Sequence, residues 1–331
     1  YTQFIDDEWY PMQDTLQQRI PDALAQINRA ILGKDAQARL SLCCLLSGGH
    51  LLLEDLPGMG KTTLAHALAG VMGLSFRRIQ FTSDLLPADI LGGSVFDPAT
   101  ATFHFHEGPV FCQVLMADEI NRATPRTQSA LLEAMEEGQV SLDGETRSLP
   151  EPFFVIATQN PSELAGTYPL PESQTDRFLM RLSLGYPSTT AERELLAQPD
   201  QRLKPLNMTP CLSVTDLQDW QKHLSETHLS ESVLDYIQRL IDFSRQSERI
   251  QLGLSPRGGL AIVRAARCHA RMAGRDHVTP DDVQAIFPAV ADHRLRAADH
   301  VVPVGDSCDN STAHHRTVAQ WILDSVDVLQ G

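Results

Sequence analysis

The sequence predicts an α/β fold: a mostly parallel sheet with helices on both faces, interrupted by two inserted β-hairpins and followed by a C-terminal helical domain. Three observations carry this. Apolar runs of strand length recur at 50–54, 110–117, 153–158 and 178–184, with helix-length segments between them, the alternation that builds a parallel sheet covered on both sides. A glycine-punctuated loop joins the first of these strands to a helix over 61–71. Beyond the break at Gly185-Tyr186-Pro187-Ser188 the pattern is helical only. At 331 residues the chain can hold two cores. The expected division is an extension over 1–15, an α/β core over 16–186 and a helical domain over 187–331.

In chain order, Leu16, Ile20, Leu24, Ile27 and Ile31 stand at helical spacing and stop at Gly33. A second apolar helical run, 40–46, closes on Gly48-Gly49 and feeds the strand 50–54. Over 92–107 two β-prone arms flank Asp97-Pro98-Ala99-Thr100, which reads as a hairpin. Over 138–149 the Asp143-Gly144 pair, a strong two-residue turn signal, stands among alternating Val140, Leu142, Thr146 and Leu149. Both hairpins are expected to close locally, without support from the core. A helix is expected over 127–137, and further helices over 191–196, 233–245, 257–272, 279–290 and 313–328. Ser255-Pro256 and Thr279-Pro280-Asp281-Asp282 supply a cap, a first-turn proline and, in the second, dipole-matched carboxylates. The polar stretch 301–310 reads as a loop.

The chemistry begins at LLLEDLPGMGKTT, 51–63. A strand running into a glycine loop that ends in Gly60-Lys61-Thr62 is a phosphate cradle. Loop and helix N–H groups face the phosphate oxygens, Lys61 reaches the outer phosphates, and the Thr62 hydroxyl can ligate Mg²⁺. Asp55 stands where the full motif has its first glycine. Asp118-Glu119 closes the strand 110–117, at the sheet edge where ligands of open α/β sheets sit. One carboxylate there can hold Mg²⁺ while its neighbour polarises water. In isolation the pair would be two acids opening a solvated loop; the upstream phosphate loop decides against that. Asn160 follows the next strand at the same edge. Arg177 precedes the strand 178–184, and Arg257 lies in the first turn of a helix, where it opposes the dipole and hints at a nearby anion.

Composition narrows the class. With 42 acidic against 27 basic side chains the net charge is −15, which disfavours nucleic acid as a partner unless a local basic channel exists. No run approaches the ~18 apolar residues of a membrane span. The six cysteines include no C-x-x-C pair and read as reduced thiols. His104 and His106 have no companion cluster and read as strand-face histidines. The acidic segment 1–10 does not read as a signal peptide, so a cytoplasmic location is expected.

In the order Lys61, Asp118-Glu119, Asn160, Arg177, Arg257 the chain resembles AAA+ ATPases, and more closely their MoxR family. The carrying segments are LLEDLPGMGKT at 52–62, LLPADILGGSVFDP at 85–98, ADEINRATPRTQSALLEAMEEGQV at 117–140, ATQNPSELAGTYPLPESQTDRF at 157–178 and LSPRGGLAIVRAAR at 254–267. The resemblance covers most of 16–295 and fades at 1–13 and 301–331. It implies an AAA+ P-loop core with a helical lid, ATP and Mg²⁺ as cofactors, and a family in which an acidic residue at the place of Asp55 is common. By it Pro57, Gly58, Met59, Gly60, Lys61, Thr62 and Thr63 surround the phosphates, and Thr62 and Asp118 hold the metal. Glu119 is the catalytic base, Asn160 is similar to sensor 1, Arg177 to the arginine finger and Arg257 to sensor 2. Ile31, Leu32 and Gly33 correspond to the adenine-flanking segment, though ordinary helix-end packing accounts equally well for Ile31 and Leu32. A finger on the subunit rim implies a ring, a hexamer in this family, and the usual partners are proteins with a von Willebrand factor A domain. Two other readings stand beside this one. One is a DNA translocase or chelatase-type ATPase of the same clade, of which the translocase would want basic hairpin tips where this chain has Pro98-Ala99-Thr100 and Asp143-Gly144; the other is a nucleotide-gated scaffold, which would not need Glu119, Asn160 and Arg177.

Overall fold

The computed structural model describes residues 11–160, 166–197, 208–298 and 317–328. Five parallel strands form the central sheet: β1 (His50–Glu54), β2 (Phe76–Gln80), β5 (Val114–Asp118), β8 (Phe154–Gln159) and β9 (Phe178–Leu182), in the order β2-β5-β8-β1-β9. Their side chains alternate between two cores. Leu51, Leu53, Val114, Met116, Phe154 and Ile156 face one, and Leu52, Leu115, Ala117, Val155 and Ala157 face the other. Alternation with both faces apolar is what a strand covered on both sides requires.

On the first face lie α1 (Pro11–Ala30), α2 (Asp35–Leu46) and α3 (Lys61–Val71). On the second lie α4 (Pro87–Leu91) and α5 (Pro125–Glu137). The helix α1 begins at Pro11, ahead of the expected Leu16. The strand expected over 110–117 starts only at Val114; residues 110–113 form turns, although Val110 and Cys112 are buried. Continuous apolarity marks burial there and not extended backbone. The sequence reading also passed over β2, whose pattern FRRIQ is mostly exposed because it is an edge strand.

The two hairpins form as expected, β3 (Gly92–Asp97) with β4 (Thr102–Glu107) and β6 (Gln139–Leu142) with β7 (Glu145–Ser148). Their independence does not hold at the base. Val140 and Leu149 are buried in the second core, and Phe105 packs against it. The hairpins also touch each other: Ser94 Oγ donates to Asp143 Oδ2 at 2.7 Å, and the Arg147 guanidinium lies 3.9 Å from the Phe105 ring centre. Their outer ends are different, with Val95, Phe96 and Phe103 exposed.

A single turn, α6 (Glu172–Thr175), precedes β9. Beyond it come α7 (Thr189–Ala197), α8 (Val214–His223), α9 (Glu231–Gln246), α10 (Pro256–Met272), α11 (Pro280–Ala291) and α12 (Val318–Ser325). The expected cap forms at Ser255, whose hydroxyl accepts from Gly258 N, and at the start of α11 the Thr279 N–H and hydroxyl both donate to Asp282 Oδ2 at 2.9 Å. This region is not purely helical, because β10 (Ile250–Leu252) and β11 (Arg296–Ala297) make a short antiparallel ribbon. Its apolar residues, among them Tyr236, Ile262 and Phe287, join the same core as α2 and α3. The expected loop 301–310, residues 1–10 and Cys308 lie outside the described residues; the five described cysteines are free thiols. Among the described residues no helix is long and apolar enough to cross a membrane.

Candidate active site

The parallel register puts the carboxyl ends of β1, β8, β5 and β2 along one edge: Glu54 faces Gln159, and Gln80 faces Asp118. From β1 the chain enters the glycine loop. Gly58 and Gly60 both have left-handed backbone, with φ of +84° and +93°. A side chain at Gly60 would be strained by that φ, while its Cβ would meet only Ile31 Cγ2, at 3.5 Å. Gly60 caps α3 without any side-chain acceptor, so the first-turn N–H groups beside Lys61, Thr62 and Thr63 keep their capacity for an anion. Pro57 and Gly58 are exposed, and Met59 packs against the first core.

Asp55 has a different task from the glycine it replaces. Its buried carboxylate accepts from Ser183 Oγ at 2.8 Å, from Gly185 N at 3.0 Å and from Leu184 N, which ties the root of the loop to the chain leaving β9. Its backbone is not left-handed, so glycine is not required there.

Lys61 is buried and already oriented. Its ammonium donates to the Asp55 carbonyl at 2.6 Å and to Asn160 Oδ1 at 2.7 Å. Burial lowers its pKa from the usual value, and Asp55, Asp118 and Glu119 push it back upward. Asn160 Nδ2 in turn donates to Glu119 Oε1 at 3.0 Å. Glu119 sits at φ +56°, a left-handed conformation costly for a non-glycine residue and held by its N–H donating to Thr158 Oγ1 at 2.9 Å. Gln80 Nε2 donates to its other oxygen at 2.7 Å, and Arg122 pairs with it at 3.0 Å. Asp118 accepts from Thr158 Oγ1 and pairs with Arg78. The structure thus brings together Lys61, Asp118, Glu119 and Asn160. Sequence reasoning missed Gln80, Thr158 and Arg78, which act through strand register and carry no local motif.

Ile31, buried at the end of α1, leads to Gly33, where φ is +71° and an added Cβ would lie 2.9 Å from Ala191 Cβ of α7. The segment Ile31-Leu32-Gly33 therefore lies between the glycine loop and the start of the helical region.

Arg177 and Arg257 are not part of this cluster. Arg177 precedes β9, whose first residue, Phe178, pairs with His50, the first residue of β1. Both arginines therefore belong to the opposite edge of the sheet from the glycine loop. There they line a cleft of about 300 Å³ with Glu136, Arg264 and Arg294, among others. The anion hinted at by the position of Arg257 is Glu136, 3.2 Å away.

Residues 50–180 match the ATPase family associated with various cellular activities (AAA), and residues 242–307 match the AAA lid domain. The chain is 42% identical to Chaperone MoxR1 of Mycobacterium tuberculosis, over 82% of this chain and 74% of that protein. It belongs to the AAA+ ATPases, in their MoxR family. It is also 45% identical to the uncharacterized protein YeaC of Bacillus subtilis, over 86% of this chain and 88% of the relative. A crystal structure of a candidate ATPase from Cytophaga hutchinsonii superposes with a TM-score of 0.84 at 32% identity, covering 96% of both chains. The parallel sheet, the two hairpins and the helical lid are those of an AAA+ protein, and the enzyme activity of the family is ATP hydrolysis.

Among the described residues no three His, Cys, Asp or Glu side chains converge as a ready-made metal cage. The donors at this edge are instead a hydroxyl, Thr62, and carboxylates. Such hard oxygens suit a Mg²⁺ that brings most of its shell as water and phosphate oxygens. The cradle fits the matching anion, since Gly58 and Gly60 put no side chain on the loop at those positions and the start of α3 lacks a side-chain cap.

Proposed function

We propose that this chain is an ATP-driven MoxR-type chaperone acting as a ring, most simply a hexamer, in which each active site is shared by two subunits. The observation that carries this is the separation of Arg177 and Arg257 from Lys61. The five residues of β1 lie between the two sheet edges, roughly 16 Å of strand, so an arginine that serves phosphate chemistry at this distance serves a neighbour. The basic cleft around them, in a chain of net charge −15, supports an anionic occupant.

In this reading the loop 57–63 binds the triphosphate, Lys61 leaves Asn160 and the Asp55 carbonyl to meet the outer phosphates, and Ile31, Leu32 and Gly33 flank the base. Thr62 and Asp118 would hold Mg²⁺, which supplies charge neutralisation on the phosphates. Glu119, oriented by Asn160, Gln80 and Thr158, accepts the proton of the attacking water. Arg177 and Arg257 of the adjacent subunit stabilise the charge of the transferred group. The division into 1–15, 16–186 and 187–331, cytoplasmic residence and a von Willebrand factor A domain partner belong to the same proposal. The exposed Val95, Phe96 and Phe103 favour a protein partner over the DNA translocase reading, which needs basic tips.

The test is complementation. Arg177→Ala chains keep the pocket and Lys61→Ala chains keep the arginines, so each alone should be inactive and their mixture should recover hydrolysis. Inactivity at every mixing ratio, with assembly intact, would count against a shared site.

A further inference from the structure

Glu136 puts one carboxylate oxygen on each of two arginines from distant parts of the chain: Oε2 lies 2.9 Å from Arg177 Nη2, and Oε1 lies 3.2 Å from Arg257 Nη1. We propose that Glu136 is a positioning residue for hydrolysis in the neighbouring subunit, holding Arg177 and Arg257 as one preset pair. This rests on the shared-site reading above.

Local energetics argue against the pair of helix ends on their own terms. Glu136 sits in the last turn of α5, which has no basic residue there, so its charge opposes the helix dipole. Arg257 sits in the first turn of α10, which has no acid there, and opposes that dipole too. The two wrong-signed residues compensate each other. The third partner, Arg177, comes from the core side just before β9.

Electrostatics give the arrangement a purpose. Two guanidiniums aimed at one point repel each other and carry large side-chain entropy. A carboxylate between them offsets the repulsion and fixes both forks, while the trio keeps a net charge of about +1 for an incoming phosphate. The other acid of the cleft, Asp176, is taken up by Arg294, whose Nε donates to its Oδ1. The carboxylate of Glu136 is itself carried on a fixed element: the preceding carbonyl, Met135 O, accepts from His50 Nε2 at 3.2 Å, and Gly138 closes the helix with its N–H on Ala134 O. Ordering the arginines before the phosphate arrives removes that cost from the reaction step.

The experiment uses the complementing pair of full-length chains. Glu136→Gln is added either to the arginine-donating chain (with Lys61→Ala) or to the pocket-donating chain (with Arg177→Ala). In the first placement the recovered ATPase rate should fall about tenfold. In the second the fall should be several-fold smaller, because that chain's own arginine pair has already been broken. An equal fall in both placements, or none in either, overturns the proposal, since a purely structural carboxylate is indifferent to which chain carries it. Failure of the unmodified pair to complement, with both chains assembled, instead overturns the shared-site reading itself. If the Glu136→Gln chain does not fold, Glu136→Asp keeps the charge, shortens the reach and must show the same asymmetry.

Discussion

Restoring the glycine of the phosphate-loop motif, Asp55→Gly, should destabilise this protein. The carboxylate is buried and accepts three hydrogen bonds, from Ser183 Oγ, Leu184 N and Gly185 N. Leu184 is itself buried, so its N–H would be left without a partner at about 1–3 kcal/mol. Ser183 and Gly185 can turn partly to water, for a loss of about 0.5–1 kcal/mol each. Glycine adds about 0.5–1 kcal/mol of backbone entropy at a position where no left-handed φ calls for it. The sum is about 2.5–6 kcal/mol. At roughly 2–4 °C per kcal/mol this lowers the thermal midpoint by about 5–24 °C. Asp55→Asn, which keeps one carbonyl oxygen, should fall between. The Lys61 contact uses the Asp55 backbone carbonyl, which glycine retains, so ATP affinity measured at low temperature should change much less than stability. Differential scanning fluorimetry and a nucleotide titration decide it: an Asp55→Gly protein as stable as the parent would refute the reasoning.

Lys61→Ala should weaken ATP binding at least tenfold, whereas Glu119→Gln should bind ATP normally and lose about 10²-fold or more in turnover; equal affinity of the Lys61→Ala protein and the parent in a direct titration would remove the phosphate role of Lys61. His50 accepts from Val155 N through Nδ1 at 3.0 Å, and burial pushes its pKa down to about 4. The unfolded chain therefore takes up the proton first, near ~6.5, and this group's contribution to stability is complete above that pH and lost as pH falls toward 4, by up to about 3 kcal/mol. Urea midpoints of the parent should drop more steeply from pH 7 to 4.5 than those of His50→Gln, and parallel curves would contradict this. Replacing 97–102 by a two-residue turn should leave the thermal midpoint within a few degrees, while Phe105→Ala, at the hairpin base, should cost about 2 kcal/mol. Insolubility of the shortened protein would show that the outer hairpin also supports the core.

Local chemistry made the first half of the chain legible. The expected bounds of β1 and α3 coincide with the observed ones, because a strand into a glycine loop into a helix is written in consecutive residues. The Asp143-Gly144 turn is equally local, and Asp143 indeed takes the positive φ that such a turn needs. What stayed illegible depends on neighbours distant in sequence. Phe76–Gln80 reads as polar because only strand order reveals it as an edge, and Gln80 acquires meaning only opposite Asp118. The helix Val214–His223 buries only Leu217 and Trp220, too few apolar positions to set a period, though its Ser213/Asp216 capping box was there to be read. Lys61, Asp118, Glu119 and Asn160 were legible as residue types, and the structure adds the hydrogen bonds that join Lys61 to Asn160, Asn160 to Glu119, and Thr158 to both Glu119 and Asp118. Glu136 was invisible, since its two partners lie 41 and 121 positions away by sequence number (177 − 136 and 257 − 136).

Arg294, just past α11, is almost wholly buried and donates to the Asp176 carboxylate and to the backbone carbonyls of Asp176, Phe178 and Leu179. A guanidinium spread over that many acceptors works as a rivet, because sliding any one contact strands several buried polar groups at once. The chain around Arg177 is thereby mechanically part of the lid, though it belongs by sequence to the sheet. In the ring proposed above, a lid that rotated would drag this segment with it, so a change of pose beside one nucleotide would reach the far rim of the same subunit, the rim that the proposal sets against its neighbour.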